Sequence, residues 1–220
     1  MFFKGTTPAL LLALIAPILS TTAQGADITS AYSKIDWDKD CKRIDTPPVD
    51  EPDIGGQFKC NGYKDYPIWI STGDLRESVQ FGHLNSQMQA GNPWESFASF
   101  NQINLTIEWR LKGGKPAAAI YRHFIDNGEG NATSRSQFLV IKSVASEETS
   151  GVGCIYGLVN GREPKANETA RHVADGIINP SSKCESGAPV DLYTGTKSAP
   201  FYALKSQAET MSRHFPDPIK

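Results

Sequence analysis

Apolar and polar residues alternate through the middle of the chain, and helical spacing takes over only near residue 166. Tyr66, Ile68 and Ile70 alternate with Pro67 and Trp69, which predicts a strand with a bulky residue on each face. Leu75, Glu77, Val79 and Phe81 alternate with Arg76, Ser78 and Gln80 and predict a second. Ser71-Thr72-Gly73-Asp74 reads as the turn between them, so the pair is a hairpin. Leu105, Ile107 and Trp109 alternate with Thr106, Glu108 and Arg110, and the tight turn Lys112-Gly113-Gly114-Lys115 follows. Ala117 to Ile125 is the next strand, with Ile120, Arg122 and Phe124 on one face and Tyr121, His123 and Ile125 on the other. Residues 126 to 135 form a polar loop, and Gln137 to Val144 return as a strand.

The stretch from Gly151 to Cys184 then organises the rest. Val152, Ile155, Tyr156, Leu158 and Val159 form a short apolar run bounded by glycines, a largely buried strand. Asn160-Gly161 is a turn, and Asn167 is placed to cap a helix. Ala166, Ala170, Val173, Ala174 and Ile177 give that helix a face of small apolar residues, and Gly176 marks its end. A second helix is expected over about 200–215, where Phe201, Leu204, Ala208, Met211 and Phe215 recur at helical spacing. Trp94, Phe97 and Phe100 at spacing three predict a helical turn. Asp27 to Asp40 reads as an extended arm, and Cys41 to Cys60 encloses a loop rich in proline, glycine and acid. Strands before helices argue for an α+β domain: an antiparallel sheet of about six to seven strands with two helices packed on it.

The first residues change the setting. Lys4, the apolar run Ala9 to Leu19 and the small residues around Ala23 match a secretory signal over residues 1–25, leaving 26–220 as one exported domain. The run of about 11 residues is shorter than the about 20 needed to span a bilayer, so no membrane span is expected after cleavage. A formal net charge of −2 provides no basic field for nucleic acid. Four cysteines in an exported chain argue for two disulfides. Three pairings are possible; Cys41–Cys60 and Cys154–Cys184 are preferred because each brackets one local unit.

Several segments, YPIWISTGDLRESVQFG, INLTIEWRL followed by AAAIYRHF, and GCIYG…ANETARHVAD…C, resemble a family of secreted alphaproteobacterial proteins of unknown function. The resemblance spans most of Tyr32 to Cys184. It implies export, two disulfides and a single domain, and it supplies no catalytic residue.

Candidate chemistry is sparse. No G-x-S-x-G elbow or H-E-x-x-H motif occurs. Of the four histidines, His172 sits four residues after Glu168 on the polar helix face, His214 lies in the tail, and His83 and His123 lie after and within strands. Asp36, Asp38 and Asp40 begin like a calcium loop, but Cys41 and Pro47 stand where it needs glycine and glutamate. No cofactor or metal is therefore expected. The polar feature that stands out is Gly73 to Arg76. Asp74 and Arg76, beside Tyr66 and Trp69, are the candidate binding surface; hairpin-turn chemistry with a cross-strand Arg76 ion pair accounts for the same residues. Trp109-Arg110 reads as a core tryptophan beside an outward arginine. The expectation is an exported envelope protein, a non-catalytic binding or interaction module with a protein or glycan partner. The alternative is a periplasmic hydrolase, or an accessory to one, whose site forms only in the fold, with His123 and Asp126 or Asp74 as first suspects.

Overall fold

The computed structural model describes residues 1, 27–47, 49, 52, 55–91, 94–97, 99–126, 135–178, 191–193, 201–204 and 212–214. Residues 2–25 of the expected signal segment, Cys184 and the loop 127–134 lie outside these residues.

The strands are β1 (Ile28–Lys34), β2 (Cys41–Arg43), β3 (Gly55–Tyr63), β4 (Tyr66–Gly73), β5 (Arg76–Phe81), β6 (Trp94–Phe97) and β7 (Asn101–Ile103). They continue with β8 (Thr106–Lys112), β9 (Lys115–Ile125), β10 (Ser136–Ser143), β11 (Ile155–Asn160), β12 (Asp191–Tyr193), β13 (Phe201–Leu204) and β14 (Ser212–His214). The helices are α1 (Trp37–Asp40), α2 (Ser86–Gly91) and α3 (Ala166–Ile177). A large sheet runs β1-β8-β9-β10-β11-β12, with β7 also pairing with β9; β2-β3-β4-β5 form a second sheet and β14-β13-β6 a third. All pairings within these sheets are antiparallel except β11 with β12.

The large sheet is the middle of three layers. On one face Ile107, Trp109, Tyr121, Phe138, Val140 and Leu158 pack against Ile68, Ile70, Val79 and Phe81 of the four-stranded sheet. On the other, Ala118, Ile120, Leu139, Ile141 and Val159 meet Ala166, Ala170 and Ala174 of α3. Period-two alternation sorts β9 between the layers: Tyr121 and Ile125 enter the first core and Ile120 the second. Alanines at spacing four let α3 lie close to the sheet. The two sheets join at a corner, where Gly82 bridges to Ala145 and the Ala145 N–H reaches Phe81 O at 2.8 Å. Gly82 has φ +87°, and a Cβ there would stand 2.2 Å from Ala145 O, so the corner requires glycine.

Some expectations need correction. The arm after Asp27 is extended, but it is a true edge strand, β1, paired along its length with β8. Trp94–Phe97 is strand rather than helical turn, because pairing with β13 imposes period two. The tail helix expected over about 200–215 is absent among the described residues: Phe201–Leu204 and Ser212–His214 are strands. Among the described residues one helix, α3, packs on the large sheet where two are expected, and there is more than one sheet. Asn167 does not cap α3. Lys165 takes that position in the left-handed region at φ 63°, without a side-chain cap, and the helix runs through Gly176 to Ile177. The Cys41–Cys60 disulfide is present and ties β2 to β3. The expected partner of Cys154, Cys184, lies outside the described residues.

Candidate functional site

The site follows from an edge that has no strand beside it among the described residues. β5 pairs with β4 on one side only. On its other side the backbone groups of residues 75, 77, 79 and 81 need partners, and these come from other segments. Leu75 O accepts from the Asn101 N–H at 3.0 Å. The Glu77 N–H donates to Asn101 Oδ1 at 3.3 Å. Val79 O accepts from Lys142 Nζ at 2.6 Å. Asn101 and Lys142 thus replace a missing strand and form a polar seam between the two sheets.

The seam is buried and charged. Lys142 is fully buried and ion-paired to Glu95, which also accepts from Gln80 Nε2 at 3.0 Å. Burial lowers the Lys142 pKa, and the Glu95 carboxylate counters that. The Glu95 N–H is held by Ser78 Oγ at 2.9 Å, which fixes β6 over β5. Asn101 Nδ2 donates to Ser96 Oγ, Phe97 O and Ser99 O, so its Oδ1 faces His123 Nδ1 at 3.1 Å. That orientation makes Nδ1 the protonated nitrogen of His123 and leaves Nε2 as an acceptor. Among the described residues, His123 Nε2, Tyr121 Oη and Gln80 Oε1 are buried without hydrogen-bond partners. Burial, helped by the Lys142 charge, pushes the His123 pKa down to about 3, so the ring is neutral at ordinary pH. Burial and the Glu95 charge push Tyr121 well up.

At the β4–β5 turn the seam opens into a cleft of about 410 Å³, lined in part by Leu75, Arg76, Glu77, Phe100, Asp126 and Arg135. Asn101 belongs to both, lining the cleft while holding His123. Glu77 Oε2 accepts from the Ile103 N–H at 2.6 Å; burial raises its pKa, and that bond opposes the rise. Leu75 and Phe100 at the rim remain 71% and 48% exposed, large apolar groups left in water beside a concave surface. The turn itself is the pair Asp74-Leu75, with φ 48° and 58°, and Asp74 pairs with Arg76. That bond is local, not the cross-strand pair expected of Arg76.

The structure divides the four candidate binding residues. Arg76 lines the cleft and its partner Asp74 stands at the tip of the turn. Tyr66 begins β4, about 23 Å from Gly73 at ~3.3 Å per residue. It packs on the core edge with its ring 4.8 Å from His83. Trp69 faces away from the core, with Lys59 Nζ 4.8 Å over its ring and its Nε1 donating to Gly82 O. The suspected dyad is not assembled either: His123 is bonded to Asn101, while Asp126 lines the cleft. Arg110 is not outward; it is buried on the helix side and paired with Asp175. His83 is half-exposed, 3.6 Å from Asp65, and His172 is exposed. Among the described residues no group of three His, Cys, Asp or Glu side chains is placed to hold a metal; Asp36 caps α1 instead. Sequence pattern does not single out Phe100, Glu77 or Asn101: Phe100 reads as part of a helical turn and Glu77 as an alternating strand position, and only the fold brings them to one cleft.

No protein-family model, curated protein or solved structure matches this chain.

Proposed function

We propose that this chain is an exported, non-catalytic binding module of the bacterial envelope, and that the cleft beside the β4–β5 turn is its ligand site. The carrying observation is the pairing of that cleft with the exposed Leu75 and Phe100, while His123 and Lys142, the groups best suited to chemistry, are sealed in the seam. A ligand at the cleft meets two apolar side chains, arginines and carboxyls, but neither buried base. The Cys41–Cys60 disulfide fits an oxidising compartment, as does the resemblance in sequence to secreted proteins. Among the described residues no helix is long and apolar enough to cross a membrane. With Cys41 and Cys60 joined, Cys154 and Cys184 are the pair that remains, and their bridge would tie the segment before β11 to the chain beyond α3.

Capture from envelope extract tests this, using wild type, Phe100→Ala and Arg135→Glu, with the bound material identified by mass spectrometry. The proposal expects one component held by wild type and lost from both variants. Equal retention by all three would end it.

The hydrolase reading keeps one observation in its favour. Glu77, its carboxyl pKa raised by burial, and Asp126 share one cleft, an arrangement that can divide acid and base roles. Hydrolysis of an envelope polymer that disappears in Glu77→Gln would establish that reading in place of the first.

A further inference from the structure

We propose that the cleft's ligand is a neutral, polyhydroxylated chain, a glycan segment, rather than a charged ligand or a protein surface; this rests on the cleft being the binding site. The first reason is charge. Arg76 and Arg135 stand with Glu77 and Asp126 around the same space, so the described lining has no single sign with which to select an ion. The second is hydrogen-bond chemistry. A hydroxyl both donates and accepts, and a lining that holds guanidinium donors together with carboxyl and amide acceptors can serve both roles. Gln102 adds an amide, already reached by Arg135 at 3.5 Å. The third is the rim. Phe100 and Leu75 are exposed large apolar groups, and Phe100 offers a flat face against which the C–H side of a sugar ring packs. The fourth is shape. A concave space of about 410 Å³ falls in the small-molecule class, whereas a stable protein interface needs about 800 Å² from each partner.

Phe100 places the ring and Glu77 accepts from its hydroxyls. Arg76, oriented by Asp74, and Arg135 donate from the opposite sense. Asn101 contributes little directly, because its amide is committed to Ser96, Phe97, Ser99 and His123. Its role is to keep the wall of the cleft fixed.

The test titrates the exported protein with maltohexaose, cellohexaose, xylohexaose, chitohexaose and, as the acidic counterpart, an oligogalacturonate. Amide shifts are followed by NMR and affinity by calorimetry. A random peptide library is screened in parallel against wild type and Phe100→Ala. The proposal expects at least one neutral hexasaccharide to move the Gly73, Leu75 and Phe100 amides, and Phe100→Ala to weaken it by about tenfold or more without lowering Tm. Glu77→Gln should weaken it too. Binding of none of the neutral sugars, binding of the acidic one alone, or affinity unchanged in both variants would overturn it. Peptides bound at those same amides, with no sugar, would overturn the glycan and leave the binding site standing. Neither sugar nor peptide at those amides would remove both.

Discussion

The large sheet carries one polar cluster on each face, and the two are built on opposite terms. Against α3, Arg110 makes two bonds to Asp175 at 2.7 and 2.6 Å and a third to Ser30 at 2.5 Å. Ser30 and Arg171 both donate to Glu108, and Arg171 reaches Tyr32 at 3.1 Å. Each carboxylate there meets an arginine, and the cluster lies at the sheet edge, where water reaches Arg171 and Asp175. Against the other sheet, Lys142 is fully buried beside a Glu95 that is 15% exposed, and three neighbouring polar atoms have no partner among the described residues. A satisfied edge network fastens a helix at modest cost to either side. A buried, partly satisfied seam makes each member hard to remove, because what remains is a charge without water. The seam fills the side of β5 that no described strand covers, and that uncovered side also leaves the cleft open at the β4–β5 turn.

Glu95→Ala should give the largest effect, about 3–5 kcal/mol of unfolding free energy, because it strands the Lys142 ammonium in the core. Glu95→Leu combined with Lys142→Met should recover most of that loss in urea unfolding; equal losses in the single and double variants would contradict the seam's description.

Acid should come next. His123 takes a proton near pH 6.5 when unfolded and only near about 3 when folded. Below pH 6.5 the unfolded chain therefore gains a proton that the fold refuses. Stability drains as pH falls toward about 3, at up to ~1.4 kcal/mol per pH unit for this group. Glu77, its carboxyl pKa raised by burial, has the opposite sign and gains stability in acid. The difference between wild type and His123→Gln isolates the histidine: unfolding curves from pH 7 to pH 4 should fall less steeply in the variant. Parallel curves would contradict the buried neutral ring.

On the helix face Asp175→Ala should cost about 2 kcal/mol, less than the seam variant, since Arg110 keeps Ser30 and the vacated Asp175 position, 32% exposed, opens to water. Thermal unfolding checks the ranking. Tyr121→Phe should be the smallest change, neutral or slightly stabilising and within about 1 kcal/mol, because the hydroxyl it removes has no partner. A large loss there would show that Tyr121 Oη makes a bond in solution.

The strands that alternate cleanly were legible. The two faces of β9, the small-residue face of α3, the β4–β5 hairpin and Cys41–Cys60 all follow from local pattern. What sequence missed depends on distant partners. Glu95 and Lys142 are separated by 47 positions, and nothing near Glu95 announces a buried lysine. Glu108 and Arg110 sit at polar alternate positions that read as outward, yet α3 covers them from 63 and 65 residues away. Closeness in sequence groups Tyr66 and Trp69 with Asp74 and Arg76. An extended strand separates neighbours in the chain by its full length and sends alternate side chains to opposite faces.

The central claim is that the cleft binds and the seam only builds it, and one paired measurement on Phe100→Ala and Glu95→Gln tests this directly. Both variants are assayed for unfolding free energy and for retention of the component captured by wild type. The account predicts that Phe100→Ala stays within about 0.5 kcal/mol of wild type and loses the component. It predicts that Glu95→Gln loses several kcal/mol while its folded fraction still holds the component. Retention by Phe100→Ala, together with loss from folded Glu95→Gln, would place the function in the seam and contradict the account.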